Sequence, residues 1–186
     1  MAITTAVELI KNISDTFEIT DSLDDIIASA SSSESSSVSP SSSASVSPSP
    51  SLGYADYTCG DENTLPGDDT NLETNYTAGD VTDVETINNV RVDQTGTGEF
   101  IIHQFKTFVS ENSATITSVG QSTQATSTST VYLQIYNRDT TTWDAIDSDN
   151  TTNINADFTL SGVIAELTNY KDASNIISCR VYQEAV

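Results

Sequence analysis

Basic residues are scarce in this chain. Its 186 residues include six Lys and Arg against 27 Asp and Glu, a formal net charge of −21. The six are Lys11, Arg91, Lys106, Arg138, Lys171 and Arg180, and they form no cluster. A phosphate backbone is bound by cationic side chains that neutralise it, so nucleic acid is excluded as a partner class. The same shortage excludes adhesion to an anionic membrane surface. No apolar run approaches the ~20 residues of a membrane-spanning helix, so no membrane insertion is expected. The N-terminal MAITTAVELIKNISD has neither the basic start nor the apolar centre of a secretory signal.

Motifs of catalysis are also missing. There is no G-x-S-x-G, no P-loop and no H-E-x-x-H. The single histidine, His103, lies inside a strand-like run and reads as a half-buried structural residue. No catalytic residue, cofactor or metal site is therefore assigned. Cysteine is limited to Cys59 and Cys179, far apart and in no metal-ligand spacing. Cys179, in the run IISCRVY, reads as a small buried hydrophobe. A Cys59–Cys179 disulfide pinning the start of the folded region to its last strand is the alternative.

Serine, by contrast, is concentrated in one tract. Residues 29–51, SASSSESSSVSPSSSASVSPSPS, are almost entirely Ser, Ala, Val and Pro. Such a segment buries too little apolar surface to offset the ordering of its backbone. Pro40, Pro48 and Pro50 bias it toward polyproline-like geometry, in which it would span on the order of 70 Å at about 3.1 Å per residue. The tract divides the chain into an N-terminal anchoring arm, residues 1–28, an extended linker, residues 29–51, and a head domain, residues 52–186. The arm has no core of its own. Val7, Leu9, Ile10, Ile13, Phe17 and Ile19 are its candidate partner-binding residues, because their apolar side chains need a neighbour to cover them. Docking on another subunit or assembly into a small homo-oligomer, such as a trimer, would supply it; folding back on the head domain is the alternative.

The head reads as all-β. Residues 52–99 resemble loops and turns anchored by Tyr54, Tyr57, Leu65, Leu72 and Tyr76, with short strands expected at 84–87 and 90–92. Beyond Phe100, six strand-like runs alternate with polar turn clusters. In TVYLQIYN, Val131, Leu133 and Ile135 fall on one face and Tyr132, Gln134 and Tyr136 on the other. In IISCRVY, Ile177, Cys179 and Val181 oppose Arg180 and Tyr182. This alternation predicts an antiparallel β-sandwich of jelly-roll type with one buried face per sheet. A hairpin turn is expected at 137–140, and a crossing loop at 167–170 with Tyr170 packed at the corner.

Aromatic residues outside the core pattern carry the recognition hypothesis. Tyr132, Tyr136 and Trp143 are candidates for stacking on the apolar faces of sugar rings. Asp68 with Asp69, and Asp144, Asp147 and Asp149 near a loop after Trp143, are weaker candidates for calcium, since the Gly and terminal Glu of an EF-hand loop are absent. Asn12, Asn75 and Asn150 begin N-x-[ST] sequons, which arise by chance in so Thr-rich a chain.

The run from VYLQIYNRDTTTWDAIDS through FTLSGVI to ISCRVYQ, with the preceding EFIIHQFK, resembles the carbohydrate-binding-type jelly-roll modules of bacteriophage virion and environmental surface proteins. The resemblance covers residues 100–183 and is one of strand pattern. It implies a non-enzymatic virion structural protein, a capsid decoration or fibre, made in the host cytoplasm and displayed on the virion surface. Its expected partners are capsid or tail proteins, reached through the arm, and host glycans. A glycan-binding adhesin module of a cell-surface protein is the alternative.

Overall fold

The computed structural model describes residues 2–6, 55–84 and 90–184. Ten strands and one short helix are formed by these residues. They are β1 (Ala2–Ala6), β2 (Ala55–Glu62), β3 (Thr74–Asn75), α1 (Ala78–Val84), β4 (Val92–Thr95), β5 (Phe100–Phe108), β6 (Ala114–Ser122), β7 (Val131–Asn137), β8 (Thr142–Asp149), β9 (Asp157–Ile164) and β10 (Ile176–Glu184). They make two antiparallel sheets, one in the order β4-β1-β6-β9 and the other in the order β3-β2-β5-β10-β7-β8.

The pairings are nested. β5 pairs with β10, β6 with β9 and β7 with β8. A single long antiparallel ribbon is thus folded over itself so that successive segments fall in opposite sheets, which is how a jelly roll is wound. β1 and β2 extend the two sheets beside β6 and β5.

Strand alternation explains the core. Val131, Leu133 and Ile135 of β7 and Ile177, Cys179 and Val181 of β10 point inward and are buried. They meet Ile116 of β6 and Phe158 and Leu160 of β9 in one apolar cluster. The hairpin and the Tyr170 corner form as expected. Arg138 N–H donates to the Asn169 carbonyl and Tyr170 N–H to that of Leu167, while the Tyr170 hydroxyl reaches Asp144. The sandwich also needs one very close approach. A Cβ on Gly162 of β9 would lie 2.4 Å from Ile146 Cγ2 of β8, so only glycine fits where these two strands of opposite sheets meet.

Two expectations are corrected. Residues 55–62, read as loop, are strand β2. Residues 78–84, whose end was expected to be a strand, are helix α1. It starts at a capping box in which Thr77 N–H donates to Asp80 Oδ2 (2.9 Å) and Asp80 N–H donates to Thr77 Oγ1 (3.2 Å). The aspartates after Trp143 lie on strand β8, which contains the strand-like run TWDAIDS. Cys59 and Cys179 are both free and buried, which agrees with the reading of Cys179 as a small buried hydrophobe and sets aside the alternative disulfide. They lie on β2 and β10, on either side of β5 and opposite His103 and Phe105. Two ladder spacings of about 4.8 Å hold their backbones about 10 Å apart, beyond the ~7 Å reach of a disulfide.

Ala2–Ala6 belong to the head's smaller sheet, where β1 is an internal strand between β4 and β6. The arm residues Val7, Leu9, Ile10, Ile13, Phe17 and Ile19 and the whole Ser-rich tract lie outside the described residues.

Core truncation is expected to be costly. Leu133→Ala and Leu160→Ala should each destabilise the head by about 2–5 kcal/mol in chemical denaturation, and Gly162→Val should lower its melting temperature by displacing Ile146.

Candidate functional site

The outer face of the larger sheet carries the residues singled out for recognition. Register sets them in rows. Gly60, Ile102, Tyr182 and Tyr132 lie side by side across β2, β5, β10 and β7. Thr58, Gln104, Arg180 and Gln134 form the next row. Tyr136 is paired with Trp143 on β8.

Most of this face is covered by the chain itself. The β2–β3 connection, residues 63–73, runs over it as a strap. Gln104 Nε2 donates to the carbonyls of Asp69 (3.1 Å) and Thr70 (3.0 Å). Arg180 Nη1 donates to the Pro66 carbonyl (2.7 Å), and Trp143 Nε1 to that of Asp68 (3.2 Å). The Asp69 carboxylate accepts from Arg138 Nη2 (2.9 Å) and from the Ser178 hydroxyl (2.5 Å). Asn71 bridges Asp56 and Lys106. Leu65 and Leu72 close over Phe100, Ile102, Tyr132 and Tyr182 as a second apolar cluster.

Two of the three candidate sugar-stacking residues are engaged beneath this strap. Tyr136 is buried, with the Arg138 guanidinium 5.6 Å from its ring centroid. Trp143 packs tilted on Tyr136, and the Arg180 guanidinium sits 4.2 Å from the indole centroid. Tyr132 has a different setting. It stacks on Tyr182 at 5.2 Å and 20°, and Phe100 meets Tyr182 edge-on at 6.1 Å. These three rings, with Leu65, supply the apolar lining of a cleft of about 260 Å³. Thr128, Ser129, Thr130 and Glu184 supply its polar lining.

The polar wall is braced from below. Gln183 Nε2 donates to the Ser129 carbonyl (2.6 Å), and its Oε1 accepts from the Ser122 hydroxyl (2.6 Å). Thr126 Oγ1 donates to Asp149 Oδ2 (2.7 Å), tying the same loop to β8. Partial burial pulls the Asp149 carboxyl up, but the hydroxyls of Thr126, Thr152 and Thr151 outweigh it and hold the group at about 2.

The other chemically suggestive groups are engaged within the fold. His103 is enclosed in the core, and its Nδ1 meets the Tyr76 hydroxyl at 2.5 Å. Asp144 accepts from Asn137 Nδ2 and Tyr170, and Asp147 from the Ser161 N–H. Asp68 forms a local turn with the Thr70 N–H, which holds its carboxyl below the usual range. Among the described residues no group of three or more His, Cys, Asp or Glu is arranged to hold a metal ion. Burial pushes the thiols up, to about 11 in Cys59 and about 12 in Cys179, so neither is a ready nucleophile.

Comparison with protein families, with curated proteins and with solved structures finds no match for the chain.

Sequence reasoning missed the strap because its anchors are distant in the chain. Arg180 and Pro66 are 114 residues apart, and nothing local announces their contact. The cleft was half visible, through Tyr132, but Phe100 and Glu184 join it only through the register of β5, β10 and β7.

Two expectations test this geometry. Arg180→Met removes the donor to Pro66 and Gln134 and should destabilise the head by about 2–4 kcal/mol. It should also shift the emission of Trp143, the only tryptophan; an unchanged spectrum and stability would refute the anchoring role. Asp149 has a folded value below its ordinary 3.8, so its contribution to stability is present above that pH and is lost as pH falls toward about 2. Asp149→Asn should therefore flatten the acid limb of stability over that interval, measured by thermal melts against pH.

Proposed function

We propose that this chain is a non-enzymatic structural protein of a virion, most simply of a bacteriophage. In this reading the sandwich head is displayed on the particle, and the chain between β1 and β2 engages capsid or tail protein and further copies of itself. The observation that carries the reading is the connection itself. Residues 7–54 leave the smaller sheet at Ala6 and rejoin the larger sheet at Ala55. This connection holds the Ser-rich tract and every candidate partner-binding residue, Val7, Leu9, Ile10, Ile13, Phe17 and Ile19. Joining two strands of a compact domain rarely takes more than about 12–15 residues, so so long an excursion argues for a use outside the head. Its closure costs the head little, because closure entropy grows only logarithmically with length. The acidity of the chain supports display at high copy number, since like-charged heads repel one another. The enclosed histidine and the carboxylates engaged within the fold support a non-enzymatic role.

A second reading is favoured by the cleft. Stacked aromatic rings beside hydroxyls and a carboxylate suit a glycan-binding module, on a virion or on a cell-surface protein.

The first reading is tested by replacing residues 7–51 with a short Gly/Ser linker, which keeps β1 in place; deletion of residues 1–28 would remove an internal strand as well. The variant should melt like the parent but be absent from purified particles that contain the parent chain. Normal incorporation would overturn the proposal.

A further inference from the structure

We infer that the Phe100–Tyr132–Tyr182 cleft is a site for a single uncharged pyranose unit and that it rejects acidic sugars. The inference rests on the glycan-binding reading and adds to it both the site and the class of sugar.

Size is the first argument. At about 260 Å³ the cleft is smaller than the ~300 Å³ at which pockets for drug-sized ligands begin, a size that suits one ring. Preorganisation is the second. Tyr132 is half-buried and held by stacking on Tyr182. The strap wall is fixed by Arg180 on the Pro66 carbonyl, next to Leu65. The opposite chemistry is fixed by Gln183 on the Ser129 carbonyl. A ligand therefore meets an aromatic surface and a polar rim that are already ordered, which keeps the entropic cost of binding low.

Charge decides the class. Among the described residues the lining contains no Lys, Arg or His, and its only ionisable group besides the tyrosines is Glu184. The nearest guanidinium, Arg180, lies over Tyr182 and Trp143 and already donates to Pro66 and Gln134. A uronate, sialate or sulfate would bring a second negative charge beside Glu184, within a chain of net charge −21, and the guanidinium behind Tyr182 has its Nε and Nη1 donors already committed to Gln134 and Pro66. A neutral pyranose avoids this. Its apolar face suits the ring of Tyr132, and its hydroxyls suit Glu184 and the Thr128–Thr130 segment.

The test uses the full chain and a glycan panel that pairs neutral oligosaccharides with their uronate, sialylated and sulfated counterparts, followed by titration of the best binder. At least one neutral glycan should bind, and its acidic counterparts should bind about ten-fold more weakly or worse. Tyr132→Ala should weaken binding about ten-fold or more, Tyr132→Phe should retain it, and Glu184→Gln should narrow the gap between neutral and acidic partners. Preference for acidic glycans would overturn the class while leaving the glycan reading intact. Neutral binding that is indifferent to Tyr132→Ala, with the variant still folded, would overturn the site. Binding to no glycan on the panel would overturn both.

Discussion

Arg180 is a guanidinium held at 3% exposure with no carboxylate in ion-pair contact among the described residues. Removing such a charge from water costs several kcal/mol, and burial accordingly lowers its affinity for a proton, to a pKa of about 10. The charge is offset piecemeal. Its Nε donates to the Gln134 side chain, its Nη1 to the Pro66 carbonyl, and its plane lies over Trp143 and Tyr182. Each partner belongs to a different part of the outer face. Gln134 fixes β7 against β10, Trp143 brings in β8, and Pro66 brings in the strap. The buried charge therefore prescribes where the strap crosses, and through Leu65 it prescribes one wall of the cleft.

The strap answers a problem that alternation creates. A six-stranded sheet with Ile102, Tyr182 and Phe100 on its outer face would expose a contiguous apolar patch, an invitation to association. Leu65 and Leu72 cover it, and four strap carbonyls are met by side chains of the sheet beneath. The coverage ends at Tyr132 and Phe100, both half-buried, and the cleft occupies that margin. The open aromatic surface of this face is thus confined to one corner and not spread along the row from Tyr132 to Trp143.

What was legible in the sequence follows from which signals are local. β7 and β10 alternate cleanly because each has one face in the core, so their inward residues could be named in advance. The β-sandwich class followed from the short, evenly spaced strands, but the nested pairing did not, because it joins strands far apart in the chain. β2 was not legible. Its sequence, ADYTCGDE, carries Gly60, Asp61 and Glu62, which read as turn, and its strand state depends on pairing with β5 some 40 residues later. For α1 a signal was present in Thr77 and Asp80, three residues apart, but a seven-residue helix containing Gly79 and Thr82 has little periodicity to support it. The carboxylates of β8 are close enough in sequence to suggest a cation, but closeness in sequence does not make them converge. In the fold Asp144, Asp147 and Asp149 each accept from a different neighbour.

The distribution of charge gives the fold its outward character. Arg91 pairs with Asp157, Arg138 with Asp69, Lys106 with Asn71, Lys171 with backbone carbonyls of Ser110 and Glu111, and Arg180 with the strap. Each of the five basic residues that the structure describes is thus turned to internal use. The acidic residues far outnumber them, so the field that a partner meets is of one sign. Such a field disfavours anionic partners of every kind, whether nucleic acid, acidic lipid or acidic glycan, and leaves neutral or cationic surfaces as the chemistry with which the head can associate. The apolar residues of the 7–54 connection fit the same constraint, because association through them requires no charge complement. Apolar contact and aromatic stacking need no charge complement, so both proposed modes of association are compatible with so acidic a chain.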